Sequence, residues 1–234
     1  RPRQSFSPTW PFFRRALVPP TLRTERLSDW GADQIYMAHF ALSDIEGNAF
    51  YNFERFSRGA AELAGAQGLP YRVWLDHWEV IELAPDTYQL FAQEGEVTLS
   101  LTLASAKPPI LQGIAGYSQK GEDPGNASYY YSLTRLVSEG TVQVGERQFA
   151  VSGLSWMDHE YSTSALSSGQ IGWDWFSLQL DNGYDIMAYQ IRRSDGSIDP
   201  LSKGSVADAD ADTTLIRFGE DYTITVLDKI GRAH

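Results

Sequence analysis

Val97-Thr98-Leu99-Ser100-Leu101-Thr102-Leu103 alternates apolar and polar residues without a break. A period of two places Val97, Leu99, Leu101 and Leu103 on one side of a strand and the hydroxyls on the other. The same pattern recurs upstream. Tyr88 to Gln93 lies between a Pro85-Asp86 turn and Gly95, Val80 to Leu83 precedes that turn, and Tyr71 to Trp78 is an aromatic and β-branched run expected to form a strand. Ile35 to Asp44 and Ala49 to Phe56 flank a Glu46-Gly47-Asn48 turn. Residues 1–34 read as irregular, broken by Pro2, Pro8, Pro11 and the Pro19-Pro20 pair, with Trp10, Phe12 and Phe13 at the end of a strand. Ala60 to Gln67 has helix-forming residues, enough for a short helix at most.

Downstream, Lys107-Pro108-Pro109 ends the alternating run, and Gly113 to Gly125 reads as a long Gly/Pro loop between domains. Ser128 to Leu136 is a strand, and Gly140 to Gly153 is a hairpin turning at Gly145. Trp173 to Leu180 and Tyr184 to Arg192 flank an Asp181-Asn182-Gly183 turn, a strong hairpin signal. Ser194-Asp195-Gly196-Ser197 turns again, and Ser202 to Val206, Thr213 to Phe218 and Tyr222 to Leu227 finish the chain as strands. Short strands at regular spacing imply an all-β meander barrel or sandwich.

A shift of 136 residues lays Phe40, Leu42 and Gly47 on Phe176, Leu178 and Gly183, with His39 on Trp175. Phe50, Tyr51 and Phe53 then fall on Ile186, Met187 and Tyr189. Two unrelated hairpins can look this similar, and two related β-domains would also produce the match. With the Gly/Pro loop as boundary, the expected domains are 1–124 and 125–234.

Composition supports a sizeable core. The chain has 234 residues, 42% hydrophobic and 13% aromatic, enough for one large all-β domain or two small ones. A net charge of −11 argues against nucleic acid and against docking on anionic membrane. No apolar run approaches the roughly 20 residues of a membrane span, so no membrane insertion is expected. The absence of Cys excludes disulfides, thiol catalysis and Cys-ligated zinc. No signal peptide is visible. Arg1-Pro2-Arg3-Gln4 opens without a start signal and Gly231-Arg232-Ala233-His234 follows a strand-like run directly, so the chain reads as a fragment or processed piece.

The densest chemistry lies in Gly153-Leu154-Ser155-Trp156-Met157-Asp158-His159-Glu160-Tyr161 and in Gly172-Trp173-Asp174-Trp175-Phe176. Trp is usually buried, and an acid among aromatics is either paired or has a raised pKa. On a strand, Trp156, Asp158 and Glu160 share one face and Met157, His159 and Tyr161 the other. Two carboxylates beside Trp suit proton transfer, one protonated and one ionised, and equally suit a structural pair anchoring Arg or Tyr hydroxyls. His159 reads either as part of that site or as a hydrogen-bonded core residue. Trp173 and Trp175 read either as walls of an apolar site or as packing, with Asp174 between them. Tyr129, Tyr130 and Tyr131 present hydroxyls on both faces of their strand, and Arg135 is placed to neutralise a buried acid.

Asp158, His159 and Glu160 are consecutive and diverge on a strand, and no His-Glu-x-x-His occurs, so no metal site is expected. Neither a Gly-x-Ser-x-Gly elbow nor a phosphate or dinucleotide loop is present, and no cofactor is expected.

Several stretches together are similar to the AttH/CrtC-type lipocalin-like family: Lys107-Pro108-Pro109-Ile110-Leu111-Gln112-Gly113, Lys120-Gly121, Pro124-Gly125-Asn126-Ala127-Ser128-Tyr129-Tyr130-Tyr131-Ser132, Trp156-Met157-Asp158-His159-Glu160 and Gly172-Trp173-Asp174-Trp175-Phe176. That family includes AttH-like proteins associated with ABC transporters, predicted secreted hydrolases and carotenoid 1,2-hydratases. The resemblance runs from about Phe12 to Gly204 and is closer to the AttH-like, secreted-hydrolase branch than to the hydratases. It implies two lipocalin-like antiparallel meander barrels packed together, with a ligand cavity near their junction. An aromatic-rich first strand before Phe12-Phe13-Arg14-Arg15 and strands after Leu227 are not recognisable, so both barrels are expected to be incomplete. The resemblance also implies a periplasmic or secreted protein with an apolar small molecule as ligand and an ABC transporter system as partner.

The candidate catalytic residues are Asp158, Glu160 and His159. The candidate ligand contacts are Trp156, Tyr161, Trp173, Asp174, Trp175, Tyr131, Asn126, Arg135 and His39. Two functions stay open: a binder of an apolar molecule, or a hydratase, hydrolase, cyclase or isomerase using Asp158 or Glu160 as general acid.

Overall fold

A computed structural model describes residues 4–18, 30–123, 125–162 and 166–226. Among the described residues there are strands and turns but no helix, so the chain is all-β. It divides into two compact units that are each discontinuous in sequence: Arg1–Ala104 with Val137–Gly153, and Ser105–Leu136 with Leu154–His234.

In the first unit, β1 (Phe6–Thr9) and β2 (Phe12–Ala16) both pair antiparallel with β3 (Gln34–Asp44), and β4 (Ala49–Arg58) pairs with β3 as well. The stretch expected to be irregular therefore holds strands. Pro8 is tolerated because β1 is an edge strand with no second ladder to feed. The chain breaks at Trp10-Pro11, where the Pro11 carbonyl still accepts from His39 N at 3.1 Å. The Pro19-Pro20 pair lies outside the described residues.

The strands β5 (Ala64–Gln67), β6 (Arg72–Leu75), β7 (Trp78–Ala84), β8 (Thr87–Glu94) and β9 (Val97–Ser105) form an antiparallel meander. The expected short helix over Ala60 to Gln67 is instead a turn followed by β5. Ala61 and Glu62 have φ of 49° and 57°, which a right-handed helix cannot accommodate. The run from Tyr71 to Trp78 is split into two strands by a turn at Asp76, whose φ is 55°. The alternating face of β9 is core as expected: Val97 and Leu99 are fully buried and Leu101 and Leu103 nearly so. Trp10, Phe40 and Trp78 meet in this unit with ring centroids 5.8–6.4 Å apart.

In the second unit, β10 (Ile110–Leu111) and β11 (Tyr117–Gln119) pair antiparallel with β12 (Ala127–Val144), so the Gly/Pro-rich segment carries a strand. β12 and β13 (Arg147–Ser162) form one long hairpin turned at Gly145, whose φ is 59°. Their residues near the turn belong to the first unit, and the remainder to the second. The four strands β14 (Gln170–Gln179), β15 (Asp185–Arg193), β16 (Lys203–Ala207) and β17 (Thr213–Arg217) make an antiparallel sheet in chain order. The expected last strand is absent: Tyr222 makes an isolated bridge to Phe218, residues 223–226 are not in a strand, and Leu227 is outside the described residues.

Both hairpins of the internal match exist, with different registers. Phe40 lies opposite Phe53, whereas Phe176 lies opposite Ala188 rather than Tyr189. Phe40 and Leu42 are fully buried, while Phe176 and Leu178 are exposed. The match thus captures strand, turn and strand, but not which side faces the core.

The second unit is pinned by a buried ion cluster. Asp185, with its side chain 0% exposed, pairs with Lys107 Nζ at 2.8 Å and Arg135 Nη2 at 2.6 Å. It also accepts from Thr134 Oγ1 at 2.9 Å. Lys107 further donates to the Gly183 and Asp208 carbonyls, each at 2.6 Å. Asp185 is shared between the two cations and the Lys107 ammonium spends its remaining N–H groups on these carbonyls, so the buried groups are paired as burial requires.

Candidate functional site

The strands β12 and β13 build the site through their alternation. Ser132 Oγ donates to Asp158 Oδ1 at 2.6 Å, and Trp156 Nε1 donates to the same oxygen at 2.9 Å. Ser128 Oγ donates to Glu160 Oε1 at 2.5 Å, and the Lys120 ammonium pairs with that oxygen too. Ser128, Tyr130 and Ser132 of β12 therefore face the side that Trp156, Asp158 and Glu160 take on β13. The Lys120 ammonium stands 5.8 Å from the Tyr130 ring centroid and 6.0 Å from that of Tyr189.

The hairpin of β14 and β15 supplies the aromatic wall. Trp175 Nε1 donates to the Tyr130 hydroxyl at 3.2 Å, and the Trp156 and Trp175 rings meet edge-on at 6.4 Å. Trp173 is opposite Ile191 and Trp175 opposite Tyr189, so these side chains share a face. Tyr130, Met187, Tyr189 and Ile191 form a buried cluster, and Trp156 packs against it.

A chain of buried donors ends on Asp158. Ser205 Oγ donates to Gln112 Oε1 at 2.6 Å, and Gln112 Nε2 donates to Ser132 Oγ at 3.0 Å. The Ser132 hydroxyl, with its oxygen accepting from Gln112, points its proton at the carboxylate. Gln112, Ser132 and Ser205 are all essentially inaccessible to water.

Asp158 itself reaches solvent, yet burial is the main influence on its carboxyl and raises it above the usual range. The carboxyl is thus reachable by solvent while Ser132, Trp156 and Tyr130 crowd it. The donors Ser132, Trp156 and Tyr130 pull the other way and the nearby Glu160 charge adds to the rise, leaving the carboxyl net raised. Burial, reinforced by the Asp158 charge, pushes the Tyr130 hydroxyl far up, and burial does the same for Tyr189. Both phenols stay protonated donors.

The remaining candidates lie elsewhere. His159 points to the opposite face, where its Nδ1 lies 2.7 Å from the Tyr131 hydroxyl and Tyr161 packs edge-on at 5.0 Å. Asp174 is held by Gln190 at 2.8 Å and Arg192 at 3.4 Å. Arg135 belongs to the Asp185 cluster, and Asn126 Nδ2 donates to Ser167. His39 sits in the first unit, opposite Glu54 and edge-on to Phe13. Sequence reasoning did not single out Tyr130, Ser128, Ser132, Gln112 and Lys120. The Tyr129-Tyr130-Tyr131 run marked the place, but only the pairing of β12 with β13 selects Tyr130 over its neighbours. Among the described residues no group of His, Cys, Asp or Glu is arranged to hold a metal ion.

An all-β lipocalin-like fold carrying a carboxyl in an aromatic recess defines the class of protein. The chain belongs to the AttH-like family, whose profile matches residues 2–233. It is similar to the crystal structure of a protein described as AttH from Nitrosomonas europaea, with 30% identity, a TM-score of 0.78, and coverage of 91% of this chain and 62% of that one. It is also similar in fold to kievitone hydratase from Nectria haematococca, with 15% identity, a TM-score of 0.59, and coverage of 79% of this chain and 55% of that one. The chain thus spans about three fifths of the length of these solved structures. No curated protein sequence matches it.

Proposed function

We propose that the recess of the second unit binds a small, largely apolar molecule against Trp156, Trp173 and Trp175. The observation that carries this reading is the Trp156–Trp175 pair, with Trp175 38% and Trp173 59% exposed beside a buried aromatic cluster. Indoles left in water next to a core face are stabilised when a ligand covers them. The test is titration with N-phenyl-1-naphthylamine, whose emission rises in apolar sites. Binding should quench Trp emission, and Trp175→Ala should weaken it by about tenfold, the equivalent of losing much of one buried aromatic contact. Unchanged affinity in a folded Trp175→Ala protein contradicts the reading.

A second reading, acid catalysis on the bound molecule, is favoured by the raised and solvent-reachable Asp158 carboxyl. A carboxyl that holds its proton more tightly than a free one, set beside indoles, is suited to protonate an alkene or a leaving group, and indole faces stabilise the cation that forms. Once a substrate is in hand, Asp158→Asn should cut turnover by about 100-fold or more while affinity holds. Normal turnover in both Asp158→Asn and Glu160→Gln ends this reading.

A further inference from the structure

Among the described residues, Lys203 on β16 is a cation with no counter-ion. Its strand runs beside β15, where Ser205 lies opposite Met187 and Gly204 opposite Ala188. Ser205 reaches Gln112, so the side of β16 bearing Lys203 and Ser205 is the side that faces the recess. Lys203 is half-buried, and among the described residues its ammonium has neither a hydrogen bond nor an ion pair.

The neighbouring charged groups have other partners, Asp158 among them, which is held by the neutral donors Ser132 and Trp156. Lys120 is taken by Glu160, Arg217 opposite Lys203 pairs with Glu220 at 3.4 Å, and Asp199 pairs with Arg193 at 3.0 Å. Burial lowers the Lys203 ammonium below its usual range, and the nearby Lys120 charge lowers it further. A partly desolvated cation beside a second cation, with no acid assigned to it, gains more from an incoming anion than a solvated surface lysine does.

We propose that Lys203, flanked by Lys120, is the anchor for a singly charged oxyanion head group, such as a carboxylate or sulfonate, on an otherwise apolar ligand whose body lies against Trp156 and Trp175. The proposal rests on the binding reading of the recess and specifies its polar end. It predicts an amphipathic monoanion as the ligand class, and it gives the Glu160–Lys120 pair a part in the site: with Lys120 matched internally, one ligand charge suffices.

The test compares 8-anilino-1-naphthalenesulfonate with N-phenyl-1-naphthylamine, the same skeleton without the sulfonate. The wild-type protein should bind the anion at least about tenfold more tightly, the equivalent of one charge-assisted hydrogen bond. Lys203→Met should bring the two affinities together, and Lys203→Arg should retain the preference. Equal affinities in the wild-type protein, or a preference that survives Lys203→Met, overturn the Lys203 assignment while leaving the recess reading standing. Failure of both probes to bind the wild-type protein overturns both.

Discussion

Ser132 Oγ lies 2.6 Å from Asp158 Oδ1 with its proton directed at the carboxyl, because its own oxygen accepts from Gln112. This hydroxyl fixes Oδ1 as an acceptor, so a proton on Asp158 sits on the other oxygen. The buried chain from Ser205 makes that orientation a property of the fold.

Asp158 should impose a pH dependence on stability. Its folded carboxyl is raised by burial, so the protonated form is the one the native state favours. Its contribution is fully present below the ordinary Asp range near ~3.9, and is lost as pH rises through the folded value. Asp158→Asn should therefore be more stable than the wild-type protein at neutral pH, and the gap should close in acid. Urea unfolding of both proteins across pH 4–8 measures it; a gap that widens in acid contradicts the assignment.

The donor chain should be costly to break. Gln112→Leu strands the Ser205 hydroxyl and removes the donor to Ser132, both in water-inaccessible positions. Leaving such groups unsatisfied costs about 1–3 kcal/mol, to be read from the midpoint of chemical unfolding. A neutral Gln112→Leu would mean the chain is incidental.

Asp185 should matter more. Asp185→Ala leaves Lys107 and Arg135 facing one another without the carboxylate they share. Removing one member of a buried charge cluster costs about 3–5 kcal/mol. A loss under about 1 kcal/mol, typical of an exposed pair, would show that water replaces the carboxylate there.

Much of the fold was legible because alternation reports burial directly. Val97 to Leu103 alternates and its apolar side is core, and the Asp181-Asn182-Gly183 turn formed with Gly183 at φ 87°. The misreadings have local causes. Propensity favoured helix over Ala60 to Gln67, but a left-handed turn and pairing with β6 overrode it. The Tyr71 to Trp78 run hid a turn because its one turn-favouring residue, Asp76, stands among aromatic and β-branched neighbours with no Gly or Pro beside it.

For the site, period two correctly put Asp158 and Glu160 on one side of β13 and His159 on the other. It gave no register between β12 and β13, and so could not choose Tyr130 over Tyr131. Gln112 and Lys120 lie in stretches that carry the family resemblance, but nothing local marks them as neighbours of the acids, and only the folded pairing brings them there.

The division of faces gives its own expectation. His159 and Tyr131 meet on the side away from Asp158, so His159→Ala and Tyr131→Phe should each leave probe affinity within about twofold, as for distant, uncoupled positions. A loss equal to that of Trp175→Ala, measured by the same titration, would place the ligand on the wrong face.

The central claim is that a ligand occupies the aromatic recess of the second unit. The most direct measurement is a crystal structure of the protein with 8-anilino-1-naphthalenesulfonate bound. The account predicts the ring system against Trp156 and Trp175 and the sulfonate at Lys203; density for the probe only on the Tyr131–His159 face or in the first unit would contradict it.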